Sequence, residues 1–489
     1  MIDQAINIFW FKRDLRLADN DALYAAKREK APLLLLYVHE PTLVEDPHHS
    51  TRHWRFIFES LVDINQSLSS YNSKILVLNS EVLAAFSLLL KVFSIKMVFS
   101  TEETGINKTY QRDLAFAEFC KTKGIQWKEF QNGGVQRGIS NRDTWRKGWY
   151  DYMTEEIKEI DLANAQIINF NSLPKQLSDE TYEPQFPAHA NFQKGGRTAG
   201  KIWEESFFNE RVRFYSEYIS KPENSRYGCS RLSPYIAWGC LSIREIYQRS
   251  MQLKKTSPYK KQLNAFNSRL RWQAHFIQKF EMEPRIEFEA FNKGYLTMEQ
   301  PYREDYVTAW KEGRTGYPLV DASMRAVRAT GYLNFRMRTM SVSFLLHHLF
   351  QHFTTGAHYL AQMFLDFDPG IHYPQFQMQS GFTATNTIRI YNPTKNAHDH
   401  DADATFIKKW VPELRELPAQ FAIEPWLLTD MESALYDFQI GKDYPERIVD
   451  IKETRAHALQ ALYGLRKADL TQKEKQRILD THTLKNRFP

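Results

Sequence analysis

Over the first 130 residues, short apolar runs alternate with segments of helical period. Ile6 to Phe11, Leu33 to Val38, Lys74 to Leu78 and Ile95 to Phe99 predict strands, with Ile125 to Phe130 a weaker fifth. Thr51 to Ser69 predicts a helix, because Trp54, Ile57, Phe58, Leu61, Ile64 and Leu68 recur at three-to-four spacing. Thr109 to Lys123 predicts another, closed by Gly124, since glycine accepts the left-handed conformation in which many helices end. Strand and helix in alternation imply a parallel sheet with right-handed crossovers. From about Gln131 to Gly196 the periodicity fades and Pro174, Pro184 and Pro187 appear, which reads as a connector on the surface, closed by Gly195 and Gly196. Beyond it the pattern is helical: Thr198 to Ile219, Ser242 to Leu253, Asn264 to Phe280, Val320 to Thr330, Phe335 to Phe353 and Ala357 to Leu365. The expected organisation is an α/β N-terminal domain with a parallel five-stranded sheet over 1–130, a connector over 131–196 and an all-α domain over 197–489. The last helix is expected around Ala456 to Leu465, with about 20 residues after it.

The composition leaves this picture intact and narrows it. At 489 residues with 43% hydrophobic and 25% charged positions, the chain has the usage of a globular protein of several domains. Aromatics are high at 14%, enough to fill a core or to line a site for a flat ring or an unstacked base. A formal net charge of +6 permits a polyanionic partner without requiring one. The three cysteines, Cys120, Cys229 and Cys240, have no C-x-x-C spacing, which suits a reducing compartment and excludes a four-cysteine iron–sulfur or zinc site within one chain. No apolar run approaches the roughly 20 residues needed to cross a bilayer, and the charged first residues do not fit a secretory leader. A cytoplasmic protein without membrane contact is expected.

Candidate chemistry is concentrated in the helical part. After the first strand, Phe11 to Asp21 is charged and free of glycine, so a G-x-G-x-x-G dinucleotide loop is absent. Cys229 to Ser233 (CSRLS) enters a helix with hydroxyls, an arginine and open N–H groups, a set that suits a phosphate and also suits an ordinary helix cap. Arg336 and Arg338 with Asp366 and Asp368 can line a site or form a buried ion-pair network. His348 and His352 lie one turn apart without the H-E-x-x-H pattern of a metal site, and His398 to Asp403 lacks the Gly and Glu of a calcium loop and is expected to be a polar surface loop. No metal is expected. Lys408, Lys409 and Arg415 form a solvated face or a DNA rim.

In order and spacing these segments resemble the photolyase/cryptochrome flavoproteins from end to end. FWFKRDLRLADNDAL is similar to that family's first strand and turn, and GRTGYPLVDASMR, RIYNPTKN and FIKKWVPELRELP to its C-terminal signatures. The resemblance implies an antenna-type α/β domain, with room for a second chromophore of unknown identity, and a helical domain holding FAD in a folded, U-shaped conformation. On this resemblance Tyr218, Cys229, Ser230, Arg231, Leu232 and Ser233 correspond to the diphosphate-binding positions, with Cys229 where Thr is common. Arg269, Trp272, Gln273 and Phe276 correspond to the stretch beneath the substrate cavity. Phe335, Arg336, Arg338, Asp366 and Asp368 correspond to the wall around the isoalloxazine, and His372 to the residue opposite flavin N5. Trp272 would be the floor on which a flipped base stacks, Arg336 would meet the DNA backbone or lesion, and His372 would donate a proton or stay neutral and hydrogen-bond.

The implied function is FAD-dependent, blue-light-driven DNA repair of the photolyase type, in which an electron passes from reduced flavin to a flipped pyrimidine dimer. The expected partner is damaged DNA, single- or double-stranded, bound by a monomer. The alternative is a cryptochrome-type photoreceptor without repair activity, and the short tail favours repair. Several positions depart from the family pattern. Arg269, Phe335 and Thr339 stand where a well-known class of cyclobutane-dimer photolyases has Glu, Asn and Met, and Phe335 and Thr339 stand where six-four photolyases have two histidines. Phe376 and Phe353 occupy two positions of the usual tryptophan electron chain, and phenylalanine is too hard to oxidise for that task. Tyr373, Tyr391 and Trp238 are the candidates for another route. Glu102, Glu103 and Asn107 lie near the antenna site.

Overall fold

The computed structural model describes residues 5–187 and 189–484; the extreme ends of the expected outer domains, 1–4 and 485–489, lie outside them. Five parallel strands, β1 (Ala5–Phe11), β2 (Leu33–His39), β3 (Leu76–Asn79), β4 (Ser94–Thr101) and β5 (Gln126–Phe130), form one sheet in the order β3-β2-β1-β4-β5. Phe9 of the central strand lies between Leu35 and Phe99 of its neighbours. Side chains alternate between the two faces along a strand. Phe9, Phe11 and Leu35 therefore meet the helix Thr51–Leu68, while Ile8, Trp10 and Leu36 meet the helices Val82–Leu89 and Asn107–Lys123 on the other face. Burial on both sides is why β1 and β2 read as continuous apolar runs. Gly124 ends its helix at φ 65°, as its sequence position implied.

The chain turns from β1 towards β2 and β3 and later returns to β4 on the opposite side. The carboxyl ends of β1 and β4 are thus a topological switch point, where α/β sheets open a crevice. Here the charged segment after β1 docks the helical half. Leu15 N–H donates to the Trp238 carbonyl at 3.2 Å, Arg13 Nε to the Ala237 carbonyl at 3.2 Å and Arg16 to the Gly239 carbonyl at 3.0 Å. Gly239 has φ +70°, and a Cβ there would lie 2.3 Å from the Arg13 carbonyl oxygen, so only glycine admits this approach. Beside it the buried carboxylate of Asp19 receives Arg244 Nε at 3.0 and 3.1 Å and a further guanidinium N–H at 2.6 Å.

Several helices differ from their predicted form. The connector contains a helix, Trp145–Thr154, whose Trp145, Trp149, Tyr152 and Met153 are buried; ten residues are too few for the period to stand out. Thr198 to Ile219 breaks after Asn209, into a helix Arg197–Asn209 and short turns as far as Tyr218. Phe335 to Phe353 is a helix only to Ser343; a π-helical turn, Phe344–His348, follows, and Phe350 at φ 51° ends the run. Pro369–Ser380 is a helix that prediction missed because Pro374 lies inside it, which makes His372 a helical residue. His398 to His400 end a helix, Pro393–His400, and Asp401 accepts the N–H groups of Phe406 and Ile407 at 2.9 Å rather than standing in an open loop. The helix Ile451–Arg466 is not the last, since Asp469–His482 follows, with Thr471, Ile478 and His482 as its buried residues.

The GRTGYPLVD signature is structural. The fully buried Asp321 accepts Thr315 N–H at 2.8 Å, the Thr315 hydroxyl at 2.6 Å, Gly316 N–H at 3.2 Å and the Tyr444 hydroxyl, which folds the loop onto the helix Pro318–Thr330.

Candidate functional site

The helix Phe335–Ser343 is started by Asn334, whose side chain accepts Met337 N–H, and it projects Arg338 towards the turn after the helix Phe353–Met363. There the guanidinium meets both Asp366 oxygens at 2.8 Å, donates from Nε to the Leu333 carbonyl at 2.9 Å and lies 3.9 Å over the Phe364 ring. With side chains 24% and 8% exposed, this pair is largely withdrawn from water, so its attraction is little screened. Asp368 caps the helix Pro369–Ser380 by accepting Gly370 N–H at 2.9 Å, and burial pushes its carboxyl up against the opposing influence of Arg13.

His372 lies one turn further on, its ring near those of Phe364, Phe367 and Phe376. Nε2–H donates to the Ala357 carbonyl at 2.8 Å, and burial pushes the imidazole down to about 3. The ring is therefore neutral at pH 7 and presents its remaining nitrogen as an acceptor. This depressed value gives a measurable pH dependence. Because the unfolded chain protonates His372 near 6.5, the stability that the neutral ring contributes is present above that pH. It is lost as pH falls from 6.5 towards 3, by about 1.4 kcal/mol per unit. His372→Asn should flatten the fall of denaturant-unfolding stability between pH 6 and 4 by about that slope; an identical slope in both proteins would refute the assignment.

The segment Cys229 to Ser233 is held from behind. Gly228 packs so closely on Tyr218 that a Cβ would lie 2.4 Å from its ring, and Arg211 donates to the Cys229 carbonyl and, at 3.3 Å, to that of Ser230. Arg231 has φ 59° and Leu232 follows in the right-handed region, a succession that turns neighbouring N–H groups to one side as an anion-binding concavity. The Arg231 guanidinium turns inward, donating to Gln193 Oε1 at 3.0 Å and lying 3.8 Å over Tyr332, so this position offers main chain to a ligand rather than its side chain. Leu232 is fully buried, Ser233 is exposed, and burial pushes the Cys229 thiol up to about 12, which makes it an inert donor. Tyr332 stands between Arg231 and the Leu333–Arg338 turn and brings the two regions together.

Arg269, Trp272, Gln273 and Phe276 share one face of the helix Lys260–Met282. Trp272 is 48% exposed and rests at 5.8 Å on the buried Phe276; Arg269 is exposed, and Gln273 lines a cleft with Asp368. This helix packs against Pro369–Ser380, with Ile277 against Gly370. Phe335 is 44% exposed, Arg336 has a buried Nε without a protein partner, and the Thr339 hydroxyl is spent on the Arg336 carbonyl at 2.9 Å. His348, by contrast, uses both ring nitrogens on Thr454 and the Tyr391 carbonyl. Among the described residues no group of three or more His, Cys, Asp or Glu is placed to hold a metal ion.

The donor set fits FAD on two observations: a concave run of N–H groups for phosphate, and the buried Nε of Arg336, which has no partner. Sequence reading did not find Gln193, Tyr332 or Arg13, whose guanidinium holds the Phe367 carbonyl; nothing in the local pattern marks Gln193 or Tyr332, and Arg13 lies in the opening signature without a role singled out for it. A second cleft opens at the carboxyl ends of β1, β2 and β4, lined by Lys12, Tyr37, Glu40, Glu103, Arg112 and Trp238. Arg112 pairs there with Glu40 at 2.8 Å and Glu103 at 2.6 Å, yet burial still pushes the Glu40 carboxyl up to about 7.

Comparison with known proteins identifies the family. Residues 7–137 match the family profile described as DNA photolyase, and 266–464 match the FAD binding domain of DNA photolyase. The chain is 27% identical to the deoxyribodipyrimidine photo-lyase of Alkalihalophilus pseudofirmus, over 94% of this chain and 98% of that protein. It is 26% identical to the cryptochrome DASH of Synechocystis, over 91% and 96%. Its fold is that of the solved Synechocystis cryptochrome (TM-score 0.84, 22% identity, 94% and 100% covered) and of a class III photolyase from Agrobacterium tumefaciens (0.82, 22%, 96% and 99%). An archaeal photolyase from Sulfolobus tokodaii, solved with two FAD molecules, is similar at a TM-score of 0.76 and 24% identity, with 94% and 99% covered. With both domain profiles matched in succession along it, the chain belongs to the DNA photolyase/cryptochrome flavoproteins.

Proposed function

We infer that this protein is an FAD-dependent, light-driven DNA repair enzyme of the deoxyribodipyrimidine photo-lyase type. The observation that carries the reading is the Arg338–Asp366 pair, locked on Phe364 between the phosphate turn and the open Trp272. Bound and reduced, the flavin supplies the light-excited electron that splits a pyrimidine dimer. The chain's own residues do the rest. The N–H groups of Cys229 to Ser233 hold the diphosphate, and Arg338, kept in one orientation by Asp366, presents a cation to the ring system. His372, neutral, supplies an acceptor nitrogen. Phe364, Phe367 and Phe376 exclude water, which strengthens these interactions. Trp272 receives the extruded base on its open face, and Arg269 and Arg336 meet the phosphodiester or lesion.

The partner is damaged DNA, taken by a monomer in the cytoplasm. No helix among the described residues is long and apolar enough to cross a membrane. The cleft at the carboxyl ends of β1, β2 and β4 is the place for a second chromophore.

The test is repair of single- and double-stranded oligonucleotides carrying each dimer type under blue light. Repair of neither, with light-dependent flavin reduction intact, would replace this reading by the photoreceptor one. Because stacking on an aromatic ring contributes about 1–3 kcal/mol per base, Trp272→Ala should weaken binding to lesion-bearing DNA about 5- to 150-fold. Equal affinity of variant and parent in fluorescence anisotropy would remove Trp272 from the mouth.

A further inference from the structure

One buried network joins the two halves of the chain and includes none of the residues assigned above to the flavin or to DNA. Asp46 and His48 lie just before the helix Thr51–Leu68, and Tyr373 lies in Pro369–Ser380. The Asp46 carboxylate is hydrogen-bonded to His48 Nδ1, and His48 Nε2 to the Tyr373 hydroxyl. His48 N–H also donates to Asp46 at 3.0 Å, and Lys108 Nζ approaches the other carboxylate oxygen at 2.9 Å. All three side chains are buried; the His48 ring stacks on Phe367 at 5.6 Å and that of Tyr373 on Phe280 at 5.9 Å. Because a carboxylate only accepts, Asp46 fixes the imidazole hydrogen on Nδ1, and the Tyr373 O–H donates to the Nε2 lone pair.

This arrangement is suited to removing an electron and a proton from one phenol together. Burial, with Glu287 and Asp46 nearby, holds the Tyr373 hydroxyl well above its usual range, so the phenol stays protonated until it is oxidised. Burial alone would raise the Asp46 carboxyl, but the hydrogen bonds from His48 and Lys108 outweigh it and keep the group an anion. The other aromatic candidates lack such a base. Trp238 gives its N–H to the Leu365 carbonyl and carries the Arg13 guanidinium 4.3 Å over its ring, which opposes a positive charge there. Phe353 and Phe376 cannot be oxidised in its place, whereas Tyr373 directly follows His372, with ring centroids 5.6 Å apart.

We propose that Tyr373 is the one-electron donor for light-driven flavin reduction, with His48 accepting its proton and Asp46 balancing the charge. The proposal rests on the reading that this chain holds a photoactive flavin. Tyr373 loses one electron to the light-excited isoalloxazine, which is the oxidant. Its O–H bond breaks and an N–H bond forms at His48 Nε2, leaving a neutral phenoxyl radical beside an imidazolium–carboxylate pair. Return of the electron reverses both transfers.

The test uses the full-length FAD-loaded protein, with a blue flash read by electron paramagnetic resonance and by the rate of flavin bleaching. A parallel arm uses a photogenerated ruthenium polypyridyl oxidant, which needs no flavin. The parent should give a tyrosyl signal in both arms. Tyr373→Phe, which keeps the ring on Phe280, should lose that signal and bleach at least about tenfold more slowly. His48→Gln should keep the phenol but form the radical about tenfold more slowly, with the solvent deuterium effect lost. The same tyrosyl signal in Tyr373→Phe, or bleaching of the parent without one, overturns the proposal. If instead the flavin reading is wrong, the blue arm is silent in every protein while the ruthenium arm still reports the Tyr373 radical.

Discussion

Replacing Arg244 by Ala should lower the stability of the whole protein by about 3–5 kcal/mol, the usual cost of removing one member of a fully buried charge pair. Arg244 is the second residue of the helix Ile243–Thr256, and its guanidinium is bonded to Asp19 through Nε and a terminal nitrogen. Without it, Asp19 keeps only the Ser242 hydroxyl and the Lys158 N–H, at 3.1 Å, around a carboxylate that has no route to water. Arg244→Met, which fills the space without the charge, should be no less destabilising, because the penalty lies in the stranded anion. The double variant Arg244→Met, Asp19→Asn should recover part of the loss. Urea unfolding at pH 7 decides this; a change below about 1 kcal/mol for Arg244→Ala would show that the carboxylate is hydrated.

Asp366→Ala should reduce FAD affinity about 100-fold, or about 2.7 kcal/mol, within the range for truncating one partner of a hydrogen-bonded charge pair. Asp366 holds Arg338 with two bonds of 2.8 Å, and once they are gone the guanidinium swings from its place over Phe364 and keeps an unbalanced charge. Asp366→Asn, which retains one acceptor, should lose less. Fluorescence titration of the apoprotein with FAD measures both. Unaltered affinity in Asp366→Ala would place the ring system elsewhere.

These two sites also illustrate what the amino-acid order discloses. Strands β1 and β2 are legible because both their faces are covered, so their sequences are apolar without interruption. The Pro369–Ser380 helix is not, since a proline and the buried polar residues His372, Tyr373 and Gln377 erase its period. Asp469–His482 is hidden for the opposite reason, being polar over most of its surface. For the site, the positions of Arg338, Asp366 and Trp272 follow from motif order alone. The inward turn of Arg231, its clasp by Gln193 and the His48–Tyr373 bond do not, because the partners are 38 and 325 residues apart and Gln193 and His48 lie in no recognisable pattern.

The close seating of Gly239 on the Arg13 backbone, next to the Asp19–Arg244 pair, has a consequence for how the molecule melts and for how it can be rebuilt. Sheet and helical halves sharing so intimate a seam should come apart in one calorimetric transition rather than two. A chimaera that takes its sheet from a relative would have to import the facing stretch 236–244 with it, or accept a gap at the hinge line.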